Sequence, residues 1–301
     1  MSENTQHHPD ETLGILYAGS TYVVWGFMPL YWRLLSDVAP VEITLHRILW
    51  GALFATLVSL ARGHFRHIVH ILRRPRTLAA LATSSVLIAA NWTLYIWCVA
   101  THQLVEASLG YYLTPLVSIA VGVALLGERI SRLRLGAIGL AAIAVAAQAF
   151  AFGHVPWIGL CIALSFGFYG YVRKQTAVDA LDGLTVETLL LFPVALSAIG
   201  YWAFQRTGGF SPSHIGRDAL LMGGGPATAI PLALFSAGAR RIRMTTLGFL
   251  QYLSPTITLI IATTWLGETF TKSDAITFGC VWAALILVGL EGTHSRLRRA
   301  G

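Results

Sequence analysis

Four residues at the start of one apolar segment have the types and spacing to do chemistry together: Glu42, His46, Arg47 and Trp50. At about 100° per residue on an α-helix, Glu42, His46 and Trp50 share one stripe, and Arg47 points aside toward a neighbouring helix. Ionisable groups are expensive inside a bilayer and usually face the interior of a bundle, where they bind, pair or pass protons. An unperturbed imidazole changes charge near physiological pH, so His46, one turn from Glu42, gives this stripe a means of proton coupling. A second account fits the same residues, with Glu42 at the outer water interface and Arg47 snorkelling to the headgroups.

Further candidates follow along the chain. Ser84, Asn91, Tyr95 and Cys98 fall on one face, where Asn91 either lines a cavity or bonds two helices together. Leu113-Thr114-Pro115 and Leu253-Ser254-Pro255 repeat a motif 140 residues apart, and twelve positions after each proline comes the same pair, Gly127-Glu128 and Gly267-Glu268. In this register Tyr111 matches Gln251 and Tyr112 matches Tyr252. A proline beside polar and small side chains removes a backbone bond and kinks a helix that lines a cavity, although small residues also serve close packing alone. Trp25, Glu42, His46, Arg47, Asn91, Tyr95, Tyr111, Gln251 and Tyr252 are therefore the candidate substrate-binding residues. Aromatic faces would hold an apolar body and the polar groups would orient its ends. Interfacial belts account for some of the aromatic residues without any ligand. The run Gly223-Gly224-Gly225-Pro226 with Pro231 is poorly helical by propensity and is expected to bend or unwind.

The elements that must position these groups are membrane spans. Hydrophobic residues form 55% of the 301-residue chain and charged residues 12%. Mean hydropathy is +0.65. Ten segments of about 20 apolar residues are legible: 13–32, 43–61, 77–99, 107–126, 134–152, 155–173, 185–204, 217–239, 244–266 and 273–290. Residues 1–12 hold no Lys or Arg, so the first span reads as retained and not as a cleaved signal. A net charge of +7 would raise nucleic-acid binding in a soluble protein, but its distribution gives another explanation. Sixteen Lys and Arg residues fall in alternate connections and the C-terminal tail, four fall in the other connections, and Arg47 lies within a span. The positive-inside rule then places both termini in the cytoplasm, and no nucleic-acid partner is expected.

Ten spans divided by a repeat give five per half, an odd number, so the halves must enter the membrane from opposite sides. The expected fold class is an all-α membrane protein of ten transmembrane helices in two inverted five-helix repeats, 13–152 and 153–292. Fainter echoes support a boundary near Gly153: Trp25-Gly26-Phe27 resembles Phe166-Gly167-Phe168, and Val41-Glu42 resembles Val186-Glu187.

Several chemistries are absent. The three cysteines lie inside spans and give no disulfide framework. Residues 62–76 have the pattern of an amphipathic helix in the headgroup layer, whose His64, His67 and His70 lack nearby carboxylates in sequence, so no metal site is expected. No nucleophile elbow, zinc-protease helix, Walker A loop or dinucleotide fingerprint occurs, so neither enzyme nor cofactor is expected.

The residues also resemble a known family. Trp25-Gly26 with Pro29, Glu42 with His46-Arg47 and Trp50, Asn91-Trp92, Glu106 through Tyr111, Pro115-Leu116, Gly127-Glu128, Phe166-Gly167 through Arg173-Lys174, and Gly183-Leu184-Thr185 with Glu187 and Leu190-Leu191 resemble the drug/metabolite transporter superfamily, its EamA-type permeases, and within them the RarD-like subgroup. The resemblance covers about residues 13–291 and implies a ten-helix inverted-repeat bundle of a bacterial inner membrane with a central cavity between the halves. The second half departs from the first, since Glu187 is followed by Phe192-Pro193 and Arg47 has no counterpart. The reading is a secondary transporter or facilitator that exports a small amphipathic metabolite or drug-like molecule by alternating access. Its rivals are a non-transporting membrane scaffold, against which the polar stripe argues, and an intramembrane enzyme, against which the missing signatures argue. Substrate identity and oligomeric state are not legible.

Overall fold

A computed structural model of the chain describes residues 9–126, 131–152, 155–176, 178–210, 214–239, 241–242 and 250–300. It is helical throughout: α1 (Pro9–Arg33), α2 (Pro40–Ala61), α3 (Phe65–Leu72), α4 (Pro75–Ala100), α5 (Leu104–Leu126), α6 (Arg132–Phe152), α7 (Trp157–Thr176), α8 (Ala180–Gln205), α9 (Ile215–Ala239), α10 (Leu253–Ile260) and α11 (Lys272–Ala300). A π-helical turn, Ile261–Trp265, extends α10. No strand occurs among the described residues. Hydrocarbon offers no partner to a free backbone amide, so an apolar chain of this kind satisfies its amides within helices. Local signals set several starts: Pro40 and Pro75 open α2 and α4, and the Asp179 carboxylate accepts from the Leu181 amide ahead of α8.

Five helices are long and apolar enough to cross a membrane among the described residues: Glu11–Arg33, Pro40–Ala61, Pro75–Ala100, Leu104–Leu125 and Leu181–Gln205. Shorter apolar stretches are Leu135–Ala147, Trp157–Arg173 and Leu253–Trp265. Leu57, Val86, Ile143, Val194 and Ile286 turn outward and are exposed, as residues facing lipid must be. The chain is a multi-pass membrane protein. Gly127-Glu128, Gly153 and the first part of the expected ninth span lie outside the described residues.

The principal helix pairings occur in matched sets. α4 packs on α7 and α1 on α9; α5 packs on α7 and α10 on α1; α2 packs on α9 and α8 on α4. Exchanging α1 with α7, α2 with α8, α4 with α9, α5 with α10 and α6 with α11 turns each member of a pair into the other. The remaining large contacts, α2 with α8 and α6 with α11, map onto themselves. Among the described helices only α3 has no counterpart in this exchange.

Two regions differ from the sequence reading. The Gly223–Pro226 run neither unwinds nor breaks, because α9 continues through it and Pro231. Its glycines serve a helix crossing instead: a Cβ on Gly225 would lie 2.5 Å from the Trp50 carbonyl carbon, so α2 and α9 meet backbone to backbone. Pro115 sits inside a continuous α5, whereas Pro255 lies in the first turn of α10.

Candidate substrate site

Arg47 is the centre of the site. Its Nε donates to Thr228 Oγ1 of α9 at 2.6 Å, and its guanidinium carbon lies 3.9 Å from the Trp92 ring centroid and 5.3 Å from that of Trp32. Stacking on indole faces stabilises a cation that has left water. Among the described residues no carboxylate pairs with it, and its two terminal nitrogens make no hydrogen bond. Thr228 Oγ1 in turn donates to the Gly224 carbonyl, which fixes the acceptor. Arg47 thus reaches three neighbouring helices, α9, α4 and α1, in keeping with its angular offset on α2.

The Tyr95 and Tyr111 rings pack edge to face with centroids 5.6 Å apart, and both lie within electrostatic range of Arg47. The Tyr111 hydroxyl donates to Asn91 Oδ1 at 3.3 Å, while Asn91 Nδ2 donates to the Ile162 carbonyl and Ser165 Oγ of α7. Asn91 therefore both ties α4 to α7 and aims the Tyr111 hydroxyl. Thr258 of α10 lies against Tyr95 and donates to the Gly26 carbonyl of α1 at 3.4 Å. Arg47, Asn91, Tyr95 and Tyr111 are accordingly brought together, and side chains from α2, α4, α5, α7, α9 and α10 enclose them.

The other candidates occupy adjoining places. Glu42 is buried and accepts the Gly209 amide at 2.6 Å, so the 207–210 segment closes over the start of α2. Phe210 of that segment stacks on His46 with centroids 5.2 Å apart. Trp50 Nε1 donates to His46 Nδ1 at 3.3 Å, which places the imidazole proton on Nε2, facing Glu42 Oε1 at 3.9 Å. Trp25 joins a separate aromatic cluster with Tyr22 and Phe235. Tyr252, next to Gln251 in the chain, stacks at 12° on Tyr112, its match in the 140-residue register. Gln251 thus adjoins the Tyr112 side of α5, while Tyr111 faces α4 and α7.

The Gly-Glu motif has a structural use in the described copy. Gly267 takes a φ of +69°, and Glu268 accepts the Leu104 and Val105 amides at 3.0 and 2.9 Å, capping the start of α5. Glu106 likewise accepts the Ile158 and Gly159 amides at the start of α7. Carboxylates suit these positions because helix N-termini carry unsatisfied donors and positive potential.

A second buried charge cluster escapes the sequence reading. Glu187 of α8 accepts from Ser84 Oγ at 2.5 Å and from the Tyr169 hydroxyl at 3.4 Å, and its Oε1 lies 3.7 Å from Arg173 Nε. The Val41-Glu42 and Val186-Glu187 echo points at the carboxylate, but its partners come from two other helices, Ser84 from α4 and Tyr169 with Arg173 from α7, which no local spacing links to α8. Thr228 and Trp32 carry no sequence signal.

A cavity of about 390 Å³ is lined by Tyr17, Phe54, Arg62, Leu181, Ala229 and Arg241, among others, and not by Arg47, Asn91, Tyr95 or Tyr111. Phe54 lies two turns beyond Arg47 on α2, and Ala229 follows Thr228. The sequence pattern of EamA-like transporters matches residues 12–148 and again residues 155–290. The chain belongs to this family. Within the EamA-like transporters it falls with the RarD proteins: that of Escherichia coli is 38% identical over 290 residues, covering 95% of this chain and 96% of that one. A protein of Vibrio cholerae called an uncharacterized transporter is 38% identical over 289 residues, 96% of this chain and 95% of its own. The chloramphenicol-sensitive protein RarD of Pseudomonas aeruginosa is 27% identical over 296 residues, 95% of this chain and 97% of its own. A solved crystal structure shares the fold at a TM-score of 0.57 and 17% identity, covering 93% of this chain and 98% of that one. By family, this EamA-like protein is a membrane transporter.

Proposed function

We propose that the protein is a secondary transporter that exports a small amphipathic metabolite across the bacterial inner membrane, recognising an anionic group of its substrate through Arg47. One observation carries the reading: a guanidinium within a span, stacked on Trp92 and held by Thr228, keeps both terminal nitrogens free of any carboxylate among the described residues. Planar guanidinium matches carboxylate in a two-pronged geometry, and the Tyr95 and Tyr111 rings beside it suit an apolar body. Arg62 and Arg241 at the cavity lined by Phe54 and Ala229 would draw anions from the cytoplasm.

Ten helices, α1, α2 and α4 to α11, are the ten spans in this reading, with both termini cytoplasmic. The exchange pattern of helix pairs and the Tyr112–Tyr252 stack support two inverted repeats, 13–152 and 153–292. A residue meets its own counterpart only near a two-fold axis. Alternating access would move the halves about that axis, with Trp25, Gln251 and Tyr252 flanking the path and His46 with Glu42 passing the proton if transport is proton-coupled. The test is flux in proteoliposomes over a panel of amphipathic carboxylates, with substrates first found by their stabilisation of the purified protein. Arg47→Gln should abolish uptake of those that stabilise the wild type, a loss of roughly 30-fold or more for a desolvated charge pair. Unchanged flux in a folded Arg47→Gln protein would remove the anion reading.

A further inference from the structure

Away from the substrate site, a cluster of metal-ligating side chains joins α3 to α8. His64 precedes α3, His67 lies on its first turn, and both face Asp182 in the first turn of α8. The carboxylate that the histidines lack nearby in sequence thus arrives from 118 residues beyond His64. His64 Nδ1 is 2.8 Å from Asp182 Oδ1, His67 Nδ1 is 3.8 Å from Asp182 Oδ2, and the two imidazole centroids are 5.4 Å apart. All three ligand atoms lie within 4.8 Å of one another. Zinc bonds of about 2.0–2.2 Å in a tetrahedron put ligand atoms about 3.3 Å apart. Small side-chain rotations bring this cluster to that spacing.

We propose that His64, His67 and Asp182 bind a divalent transition metal of the zinc type. Two nitrogen donors with one carboxylate suit zinc, cobalt or nickel and disfavour magnesium and calcium, which require oxygen. The Asp182 side chain is 6% exposed, and the only cationic partners it has among the described residues are these two imidazoles. A buried carboxylate needs a cation beside it. An imidazole supplies positive charge only when protonated, whereas a metal ion supplies it while the imidazoles are neutral. The His67 side chain is 72% exposed, which leaves an entry path and a fourth position for water.

The cluster is also held in place before any ion arrives. Ile68 and Ile71 of α3 pack with Leu81 and Val186, and Ser59 Oγ lies 3.1 Å from Thr185 Oγ1 one turn beyond Asp182. A bound ion would clamp the α2–α3 connection to α8 and stabilise the conformation in which they meet by mass action. His70, exposed and one turn further along α3, takes no part.

The experiment uses the full-length protein in lipid nanodiscs, purified on a tag free of histidine and stripped with a chelator. Zn²⁺ is titrated against a chromophoric competitor, Co²⁺ is followed by its visible absorption, and Mg²⁺ serves as the oxygen-seeking control. The expected result is one Zn²⁺ per chain, a Zn²⁺-dependent rise in Tm, and affinity weakened about 10-fold or more in His67→Ala and Asp182→Asn but kept in His70→Ala. His67 is exposed, so its variant folds, as its metal-free Tm will show. Equal Zn²⁺ affinity in wild type and His67→Ala, or no Zn²⁺ binding by the wild type, overturns the proposal.

Discussion

Single residues around Arg47 carry the sharpest expectations for transport. Tyr111→Ala should cut flux about 10-fold or more by removing a ring and hydroxyl beside Arg47, while Ile260→Ala, at a position 54% exposed, should leave it within a factor of two. Equal loss in both variants would point to general damage and sink the placement. If transport is proton-coupled through the Trp50–His46–Glu42 chain, His46→Gln should flatten the pH profile of proteoliposome flux, and an unchanged profile would remove His46 from the path. At this scale sequence identifies the groups that are costly in a bilayer but not what each one touches. Arg47 stands out by its charge within a span; Thr228, its partner on α9, is one threonine among many in the chain. Glu42 and His46 are legible as a stripe, yet the 207–210 segment that covers them comes from a connection whose path no periodicity encodes.

Among the elements, the crossing of α2 and α9 is the one most exposed to a single methyl group. Gly225→Ala should push the two helices apart and cost about 1–3 kcal/mol, read as a lowered Tm in nanodiscs. Gly216→Ala, which meets open space, should cost almost nothing. A silent Gly225→Ala variant would mean that the crossing can relax freely. The glycine run of α9 defeats a propensity argument because such scales price a glycine against water, whereas here its missing side chain lets two backbones touch. The existence of the helices is far easier to read than such detail. Long apolar runs fix helices because hydrocarbon permits little else, and the α3 amphipathic segment is legible from Ile68 and Ile71.

For the whole molecule, the 140-residue register is enough to reveal the repeat, while the pairing of helices across it is invisible to sequence. On a cysteine-free background, Arg66→Cys should label only from the cytoplasm and Thr101→Cys only from outside; labelling of both from one side would overturn the inverted reading. The caps have a further consequence, in the order of synthesis. Glu268, which closes the start of α5, is made 164 residues after Leu104. At about 5–20 residues per second, α5 waits roughly ten seconds or more for that carboxylate. Glu106, by contrast, is already in place when the amides of α7 emerge. Assembly is thus lopsided in time: the second half is born onto a waiting cap, the first half is finished only by the second, and a ribosome halted before residue 268 leaves in the membrane a chain whose fifth helix still advertises its open end to quality-control proteases.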